Sequence, residues 1–455
     1  MLRLGFVLIA VQAALGLGVG AQIVGNLTLL SYNVAGLPEL LSSGNPAVNT
    51  PLISPRLKSY NIINVQEDFN YHAALYASDN HAFRTPTSGG AGIGSGLNTL
   101  SDFPYIDFER VKWSDCNLSG GDCITPKGFT FARVRVADGA WIDVYNMHTD
   151  AGSESGDIAA RAKNFAQVTA YIATWSAGMP VVVMGDTNAR YTRPGDGETL
   201  RSFLASTGAV DLWVSKVRGG NPPAVGTDAL VCPFPFAVGT KQEVLDACET
   251  VDKIFVRPSA ALTFPAATFA NAHDVFVDGK GAPLSDHYPM SGTVAWKLSS
   301  SIRLGDTIGG PHGTAFNDIP SLLSGAIPKL TSITIRGANR VDGLAYSVKY
   351  PSGSSSTASH GGTGGTANTL SLPSGERVVK VKACSGKYNN TTRIFYLELT
   401  TNTGRTISAG KTTSDCLTTT VPVDAGSPGS WGLVAFWGRD GNEVDRIAPI
   451  WGAAY

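Results

Sequence analysis

The pattern of apolar residues changes near residue 300, and this change limits the chain to folds built from two different units. Before it, short apolar runs such as TLLSYNV, WIDVYNMHT and PVVVMGDTN alternate with loops and helical patterns. After it, helical patterns stop, and Gly-, Ser- and Thr-rich loops separate short segments such as SITIRGA and RVVKVKACS. The first style predicts an α/β sandwich over residues 22–298, and the second predicts an all-β domain over residues 302–455. We expect each unit to have its own hydrophobic core.

Two segments carry local predictions. The segment after WIDVYNMHT contains Asp157, a residue type that caps helix N-termini, and its apolar residues then recur at helical spacing. These apolar residues are Ile158, Ala162, Phe165, Val168 and Ile172. By contrast, residues 352–369 are so rich in Gly, Ser and Thr that they predict a long loop inside the β domain.

Residues 1–21 have the pattern of a secretory signal peptide. Arg3 precedes the apolar run GFVLIAVQAALGLGVG, and small residues follow at cleavage spacing. Charged residues make up only 16% of the chain, and this low share suits an exported, β-rich protein. No later stretch is a continuous apolar run of membrane-spanning length. We therefore expect a secreted, extracellular protein without a stable membrane span after signal removal.

The six cysteines support the same compartment, because exported proteins commonly pair their cysteines. Their spacing favours pairing between neighbours, and none has the CxxC spacing of a metal site. The expected pairs are Cys116 with Cys123, Cys232 with Cys248, and Cys384 with Cys416. Sequons at Asn26, Asn117, Asn389 and Asn390 are candidate glycosylation sites in an exported chain.

Polar residues that could bind a metal or take part in catalysis follow the predicted strands of the first unit. The ends of strands are where α/β sheets assemble their sites. These polar residues are Asn33, Glu67, His148, Asp186, Asn188, Asp252, Asp286 and His287. Carboxylate and amide oxygens suit a hard cation, and the histidines suit proton transfer, so this set predicts phosphate-ester hydrolysis. The chain's net charge of -1 gives no overall basic field, so a phosphate must be held locally. The other histidines, at 72, 81, 273, 312 and 360, are expected on the surface or in loops.

The ordered motifs SYN, QE, NxH, GDxN, VDxIFV and SDH resemble the endonuclease/exonuclease/phosphatase superfamily of divalent-metal-dependent phosphoesterases, over roughly residues 27–297. The resemblance implies a four-layer α/β sandwich with two central sheets. It implies that Glu67 is the principal metal ligand, with Asn33 beside it and Asp286 near the metal. Mg²⁺ is the expected ion, with Mn²⁺ as an alternative, because the ligands are hard oxygens.

The same resemblance assigns the catalytic roles. Asp186 and Asn188 handle water and phosphate, His148 stabilises the phosphate, and Asp252 pairs with His287. It leaves the substrate open among nucleic acid, phospholipid and small phosphates, since the superfamily includes deoxyribonucleases, sphingomyelinases and inositol phosphatases. The position of Cys248, four residues before Asp252, resembles the arrangement in secreted deoxyribonucleases. The Arg- and Gln-bearing helix after His148 instead resembles the arrangement in sphingomyelinases.

The second unit resembles jacalin-related lectins over almost its whole length, through GGPHGTAFND, SHGGTGG, GERVVKVKACSG and GRDGNEVDRIAPI. The resemblance implies a three-sheet β-prism whose Gly-x-x-x-Asp loop binds sugar hydroxyls. The candidate carbohydrate-binding residues are Gly313, Gly441, Asn442, Glu443 and Asp445. The whole chain is thus expected to be a secreted phosphodiesterase tethered to glycans, and the alternative is a catalytically inactive lectin.

Overall fold

The alternating apolar runs of the first unit form two central β-sheets in the computed structural model, which describes residues 23–42, 44–118, 122–423 and 430–454. The predicted signal peptide lies outside these described residues. Their helices are all too short or too polar to cross a membrane. We call residues 23–298 the sandwich and residues 302–454 the prism.

The sandwich strands begin and end as follows: β1 (Val24–Asn33), β2 (Ile62–Gln66), β3 (Phe83–Arg84), β4 (Asn98–Ser101), β5 (Tyr105–Lys112), β6 (Gly128–Ala137), β7 (Ala140–His148), β8 (Val181–Asp186), β9 (Val210–Asp211), β10 (Asp252–Arg257), β11 (Leu262–Ala267), β12 (Ala270–Asn271) and β13 (Met290–Leu298). One sheet has the order β11-β13-β1-β2-β4-β3, with β12 beside β13, and the other has the order β5-β6-β7-β8-β10-β9. Only β1–β2 and β7–β8 pair in parallel among these strands.

The sandwich helices are α1 (Pro46–Ile53), α2 (His72–Tyr76), α3 (Ser155–Trp175), α4 (Asp196–Thr207), α5 (Leu212–Lys216) and α6 (Gln242–Ala247), with 3-10 turns at Ser54–Ser59 and His273–Val275. One apolar core lies between the two sheets. A second core joins α3 and α4 to the outer face of one sheet, and a third joins α1 and α2 to the outer face of the other. This order of helices, sheet, sheet and helices confirms the four-layer sandwich.

Helix α3 confirms the predicted helix but starts earlier than predicted. Its N-cap is Glu154, and Asp157 is the third helical residue, where it accepts a hydrogen bond from the Glu154 N–H in a capping box. Phe165, Val168 and Ile172 are buried, as their spacing predicts. The prediction of Asp157 as the N-cap is wrong, because its carboxylate reaches back to the N–H of the N-cap residue Glu154 from inside the first turn.

The prism strands form three sheets around one core and confirm the expected β-prism. They are β14 (Ile302–Leu304), β15 (Ile308–Gly309), β16 (Thr314–Asn317), β17 (Lys329–Gly337), β18 (Val341–Lys349), β19 (Ser355–Gly361), β20 (Thr366–Ser371), β21 (Val378–Tyr388), β22 (Thr391–Thr401), β23 (Thr406–Gly410), β24 (Asp415–Thr420), β25 (Gly432–Asp440) and β26 (Val444–Gly452), with one short helix, α7 (Ile319–Leu322). The sheet orders are β14-β26-β25-β16 with β15 beside β26, β19-β18-β17-β20, and β23-β22-β21-β24.

The prediction of a long loop over residues 352–369 is wrong, because β19 and most of β20 lie there. Strand β19 pairs with β18 and β20 pairs with β17, so the backbone hydrogen bonds are satisfied by neighbours distant in sequence. The side chains stay largely exposed, which is why the sequence has few apolar residues to reveal the strands. The three predicted disulfides are confirmed: Cys116–Cys123, Cys232–Cys248 and Cys384–Cys416.

Each unit has a hydrophobic core of its own, as expected, but the two units also pack against each other. The prism core includes Trp141, Met179 and Ala261 of the sandwich, and the Trp141 and Trp437 rings are 5.7 Å apart between centroids. Trp141 lies at the start of β7, whereas His148 ends the same strand, seven residues or roughly 23 Å further along. The prism therefore packs on the end of the sheet opposite to the one that carries His148.

Candidate active site

The strand order brings predicted site residues from distant parts of the chain to one edge of the two sheets. Asn33 ends β1, and Glu67 directly follows β2, its parallel neighbour. In the other sheet His148 is paired with Asp186 across β7 and β8. Asp186 is also paired with Asp252, which starts the antiparallel strand β10. Strand pairing therefore places Asn33 next to Glu67 in one sheet and His148, Asp186 and Asp252 together in the other, and the packing of the two sheets brings both groups to one edge.

Asp186 lies at the centre of the cluster. The Asn33 amide donates to Asp186 Oδ2 at 3.2 Å and to Glu67 Oε1 at 3.1 Å. The Nε2 atoms of His148 and His287 lie 3.3 Å and 3.6 Å from the same Asp186 oxygen. Two carboxylates, one amide and two imidazoles thus face one small volume.

His287 is held by a carboxylate on its far side. Its Nδ1 lies 2.9 Å from Asp252 Oδ2, which leaves Nε2 facing Asp186. Burial opposes ionisation of the ring, but Asp252 and Asp186 outweigh burial and raise the pKa of His287 well above its usual value. His287 is therefore a cation in this arrangement, and it lowers the pKa of Asp186 although burial acts in the opposite direction.

His148 is electrostatically different from His287. Burial, and then the positive charge of Lys127, lower the pKa of His148 to about 3, so the ring is neutral at physiological pH. Lys127, which the sequence reasoning missed, lies just before β6 and forms an ion pair with Asp122. Its Nζ is 3.5 Å from Thr149 O, beside the strand end that carries His148. No motif surrounds Lys127, so only the pairing of β6 with β7 reveals its position.

Strained backbone marks two of the candidate residues. Glu67 has φ of 56° and Asn188 has φ of 47°, a region that non-glycine residues rarely occupy. The Glu67 carbonyl accepts the Gly36 N–H at 3.0 Å, and a Cβ at Gly36 would lie 2.5 Å from that oxygen. The Asn188 N–H donates to Asp186 Oδ1 at 2.9 Å, and its side-chain amide donates to Thr149 O at 3.2 Å. The surrounding contacts hold both residues in these conformations.

A divalent cation fits the oxygen donors around Glu67. Burial raises the pKa of Glu67, so this carboxylate lacks enough nearby positive charge in the protein alone. Asp186, Asp252 and His287 also have possible ligand atoms within 4.8 Å of one another. We favour the Glu67 and Asn33 side of the cluster, because carboxylate and amide oxygens suit a hard cation and the His287 ring is already held by Asp252. Asp286 is exposed and accepts a 3.4 Å hydrogen bond from Ser285, whose hydroxyl also donates to Asn33 O at 2.6 Å.

The candidate sugar residues come together at one end of the prism. Gly313 has φ of 69°, and a Cβ there would lie 2.5 Å from Asp445 Oδ2. Gly441 N donates to Glu443 O at 3.0 Å, which closes the turn through Asn442. The carboxylate of Asp445 is buried and forms an ion pair with Arg393, a residue that the sequence reasoning did not single out. A sugar at this loop would thus meet an acid that already has a cationic partner.

Comparison with known families agrees with both halves of this architecture. Residues 45–215 match the model described as Endonuclease/Exonuclease/phosphatase family 2, and residues 306–450 match the Jacalin-like lectin domain. The chain therefore contains one segment similar to the endonuclease/exonuclease/phosphatase family and another similar to the jacalin-like lectin domain. The first match lies within the sandwich, and the second lies within the prism.

Individual relatives cover different parts of this two-domain chain. A sphingomyelinase of Mycobacterium bovis is 38% identical over 276 residues, which are 59% of this chain and 52% of the relative. The chain thus spans about half the length of the curated relatives it matches. Among solved structures, sphingomyelinase C from Streptomyces griseocarneus is 19% identical, with TM-score 0.38, over 59% of this chain and 99% of that chain. A mannose-binding jacalin-related lectin from Ananas comosus is 26% identical, with TM-score 0.29, over 33% of this chain and 98% of that chain.

Proposed function

We propose that this protein is a secreted, metal-dependent phosphodiesterase that cleaves the headgroup diester of a sphingomyelin-type phospholipid. The observation that carries the proposal is the convergence of Asn33, Glu67 and Asp186 with the Asp252–His287 pair at one sheet edge. The 38% identity to sphingomyelinases supports a lipid substrate. The near-zero net charge supports it against nucleic acid, which needs an extended basic surface.

Glu67 and Asn33 would hold a divalent cation, which we propose to be Mg²⁺ with Mn²⁺ as a substitute. When bound, such an ion neutralises negative charge that develops on the phosphate oxygens. Asp186 would orient the attacking water, because it receives hydrogen bonds from Asn33 and from the Asn188 N–H and is thereby fixed in position. Lys127 adds positive charge on the His148 side of the cluster.

His287, as a cation, would donate its Nε2 proton to the leaving alkoxide. Asp252 fixes the ring through Nδ1, so Nε2 is the nitrogen that faces the cleft. The neutral His148 would donate a hydrogen bond to a phosphate oxygen without adding charge. Asp286, exposed on the rim beside His287, would remain an outer acidic member of the site.

The prism would bind glycans through Gly313 and the turn from Gly441 to Asp445. Backbone N–H groups and a fixed carboxylate suit sugar hydroxyls, which need several convergent donors and acceptors. Because the prism packs opposite to the catalytic edge, a bound glycan would leave the cleft open. The prism would then raise the local concentration of the enzyme at a glycan-coated surface.

The test is parallel incubation of the full chain with sphingomyelin, DNA and an inositol phosphate, with Mg²⁺ and with excess chelator. We expect metal-dependent release of the phosphorylated headgroup from sphingomyelin and little turnover of the other two substrates. Equal turnover in chelator would contradict metal dependence. No turnover of any substrate, together with retention on immobilised glycan, would favour the inactive lectin.

A further inference from the structure

Exposed valines are spread over the sandwich, but its exposed leucine, isoleucine and phenylalanine side chains are not. Among the described residues, every Leu, Ile and Phe that is exposed lies on one of four loops. These residues are Leu40, Leu41, Ile93, Leu118, Ile124 and Phe234. Leu40 is 98% exposed and Leu118 is 85% exposed, which are extreme values for leucine in a folded protein. We call these six side chains the apolar rim.

Two of the four loops are fixed to the segment that follows Glu67. The loop that carries Leu40 and Leu41 is held where Gly36 N donates to Glu67 O at 3.0 Å. The loop that carries Ile93 ends at Gly96, where a Cβ would lie 3.0 Å from Glu67 Cα. Both apolar tips therefore project from the edge that carries the proposed metal ligands.

The third loop is fixed to the strand end that carries His148. It contains Leu118, Ile124 and the Cys116–Cys123 disulfide. At its base Trp113 Nε1 donates to His148 O at 2.7 Å. The described part of this loop is thus also attached at the catalytic edge.

The fourth loop is fixed to Tyr288, the neighbour of His287. The Tyr288 hydroxyl donates to Pro233 O at 2.6 Å, and the Phe234 ring lies 5.2 Å from the Tyr288 ring between centroids. All four loops therefore attach to backbone that carries a proposed catalytic or metal-binding residue. The six rim side chains therefore belong to loops that are attached at the catalytic edge.

The charge of these loops limits what the rim can contact. Residues 35–42, 86–97, 113–127 and 229–238 contain three acids, Glu39, Asp115 and Asp122, and one cation, Lys127, which is paired with Asp122. Polyanions and anionic lipids bind through clusters of basic residues, and these loops have no such cluster. Exposed apolar tips around a substrate cleft instead match the interfacial region of a neutral membrane.

We propose that the apolar rim inserts into the surface of a bilayer of zwitterionic lipids and thereby seats the cleft on the headgroup layer. This inference rests on the proposed phospholipid substrate, because it supplies the way in which the cleft reaches a diester at a membrane surface. Insertion is driven by apolar burial and needs no anionic lipid. A second copy of the chain on the rim is the competing occupant, and the experiment distinguishes it.

The experiment measures co-sedimentation of the full chain with phosphatidylcholine vesicles in excess chelator, so that no turnover and no glycan contributes. The double variant L40S/L41S and the single variant Ile93→Ser should each weaken binding by about tenfold or more, the effect of losing one or two buried aliphatic side chains. Val423→Ser is the matched control, because Val423 is 87% exposed but belongs to the prism, and it should bind as the wild type does. Binding of the wild type should not fall at high salt or rise with anionic lipid.

Three results would overturn the inference: a wild type that does not sediment, rim variants that bind as well as the wild type, or binding that depends on anionic lipid. A wild-type dimer in light scattering that becomes monomeric in L40S/L41S, without vesicle binding, would assign the rim to a second copy instead. Failure of the proposed function is separate. A chain that binds vesicles through the rim but cleaves no diester in detergent would keep the inference and reject the phosphodiesterase.

Discussion

At the scale of single residues, Glu67 is the side chain on which the proposed chemistry depends most. Glu67→Gln keeps the size of the side chain and its ability to receive a hydrogen bond from Asn33, but removes the negative charge that a hard cation requires. We expect metal-supported turnover to fall roughly 100-fold or more, while the thermal unfolding midpoint is retained. A titration of turnover against Mg²⁺ measures this, with the exposed acid Glu39, as Glu39→Gln, serving as control. Wild-type turnover in Glu67→Gln would remove Glu67 from the metal site.

A second residue prediction concerns His360, which was expected on the surface but lies in β19 between two carboxylates. Its Nε2 is 3.0 Å from Asp318 and its Nδ1 is 3.5 Å from Asp440, and its ring stacks on Phe316. The Tyr346 hydroxyl also donates to Asp318. Burial opposes ionisation, but the two acids raise the pKa of His360 to about 9.

The pH dependence of stability follows from this shift. The unfolded pKa is about 6.5, so the contribution of His360 is complete below that pH and is lost as pH rises through about 9. Its size is at most about 3 kcal/mol. His360→Gln should therefore unfold earlier than the wild type at pH 6, and the two midpoints should converge by about pH 10. If the difference between the two unfolding midpoints is the same at every pH, His360 is not ionised in the folded prism.

At the scale of elements, helix α3 connects the catalytic strand end to the rest of the sandwich through Arg161. This fully buried guanidinium pairs with Asp196 at 2.9 Å and donates to the carbonyls of Asp150 and Gly152, each at 2.9 Å. It thus fixes the segment that follows His148. The Arg is one of the residues that made this helix resemble the sphingomyelinase arrangement.

Arg161→Lys should destabilise the sandwich by about 3–5 kcal/mol, because an ammonium group cannot bond Asp196 and both carbonyls at once. Denaturant unfolding measures the loss. Lys163→Arg is the control, since Lys163 lies on the same helix but is exposed. A loss of less than about 1 kcal/mol in Arg161→Lys would mean that the buried contacts can rearrange around a lysine.

At the scale of the whole molecule, a buried ion network joins the two domains. Asp107 of β5 pairs with Arg446 of β26, lies 3.3 Å from Arg439 of β25, and is 4.0 Å from Arg133. Together with the Trp141–Trp437 contact, this network makes the sandwich and the prism one packed body rather than two tethered ones.

Asp107→Asn should remove the anion from this network while keeping a residue type that tolerates the φ of 59° at this position. Three arginines would then lose one shared carboxylate, and we expect a loss of about 3–5 kcal/mol. Calorimetry should show one unfolding transition in the wild type and two in the variant. The reverse, two transitions in the wild type, would show that the domains unfold independently.

Some of this molecule was determined by the sequence because the signals were local. Alternating apolar runs predicted the sandwich strands, and short spacings predicted the three disulfides. Ordered motifs predicted which polar residues would meet, although Asp252 starts β10, and Asp286 and His287 precede β13, instead of following strands as expected. Cys116–Cys123 and Cys232–Cys248 each close a loop of 16 residues or fewer, so their pairing needs little knowledge of the fold.

Only the tertiary structure decided the features whose partners lie far apart in sequence. Asp107 meets Arg446 across 339 positions, and His360 meets Asp318 across 42. A single charged or polar residue carries no periodic signal that names its partner, so Lys127 and Arg393 were missed. The polar strands β19 and β20 were also missed, because few of their residues are apolar and their hydrogen bonds are made with neighbouring strands. The apolar rim is visible only once folding shows which leucines and isoleucines are left in water.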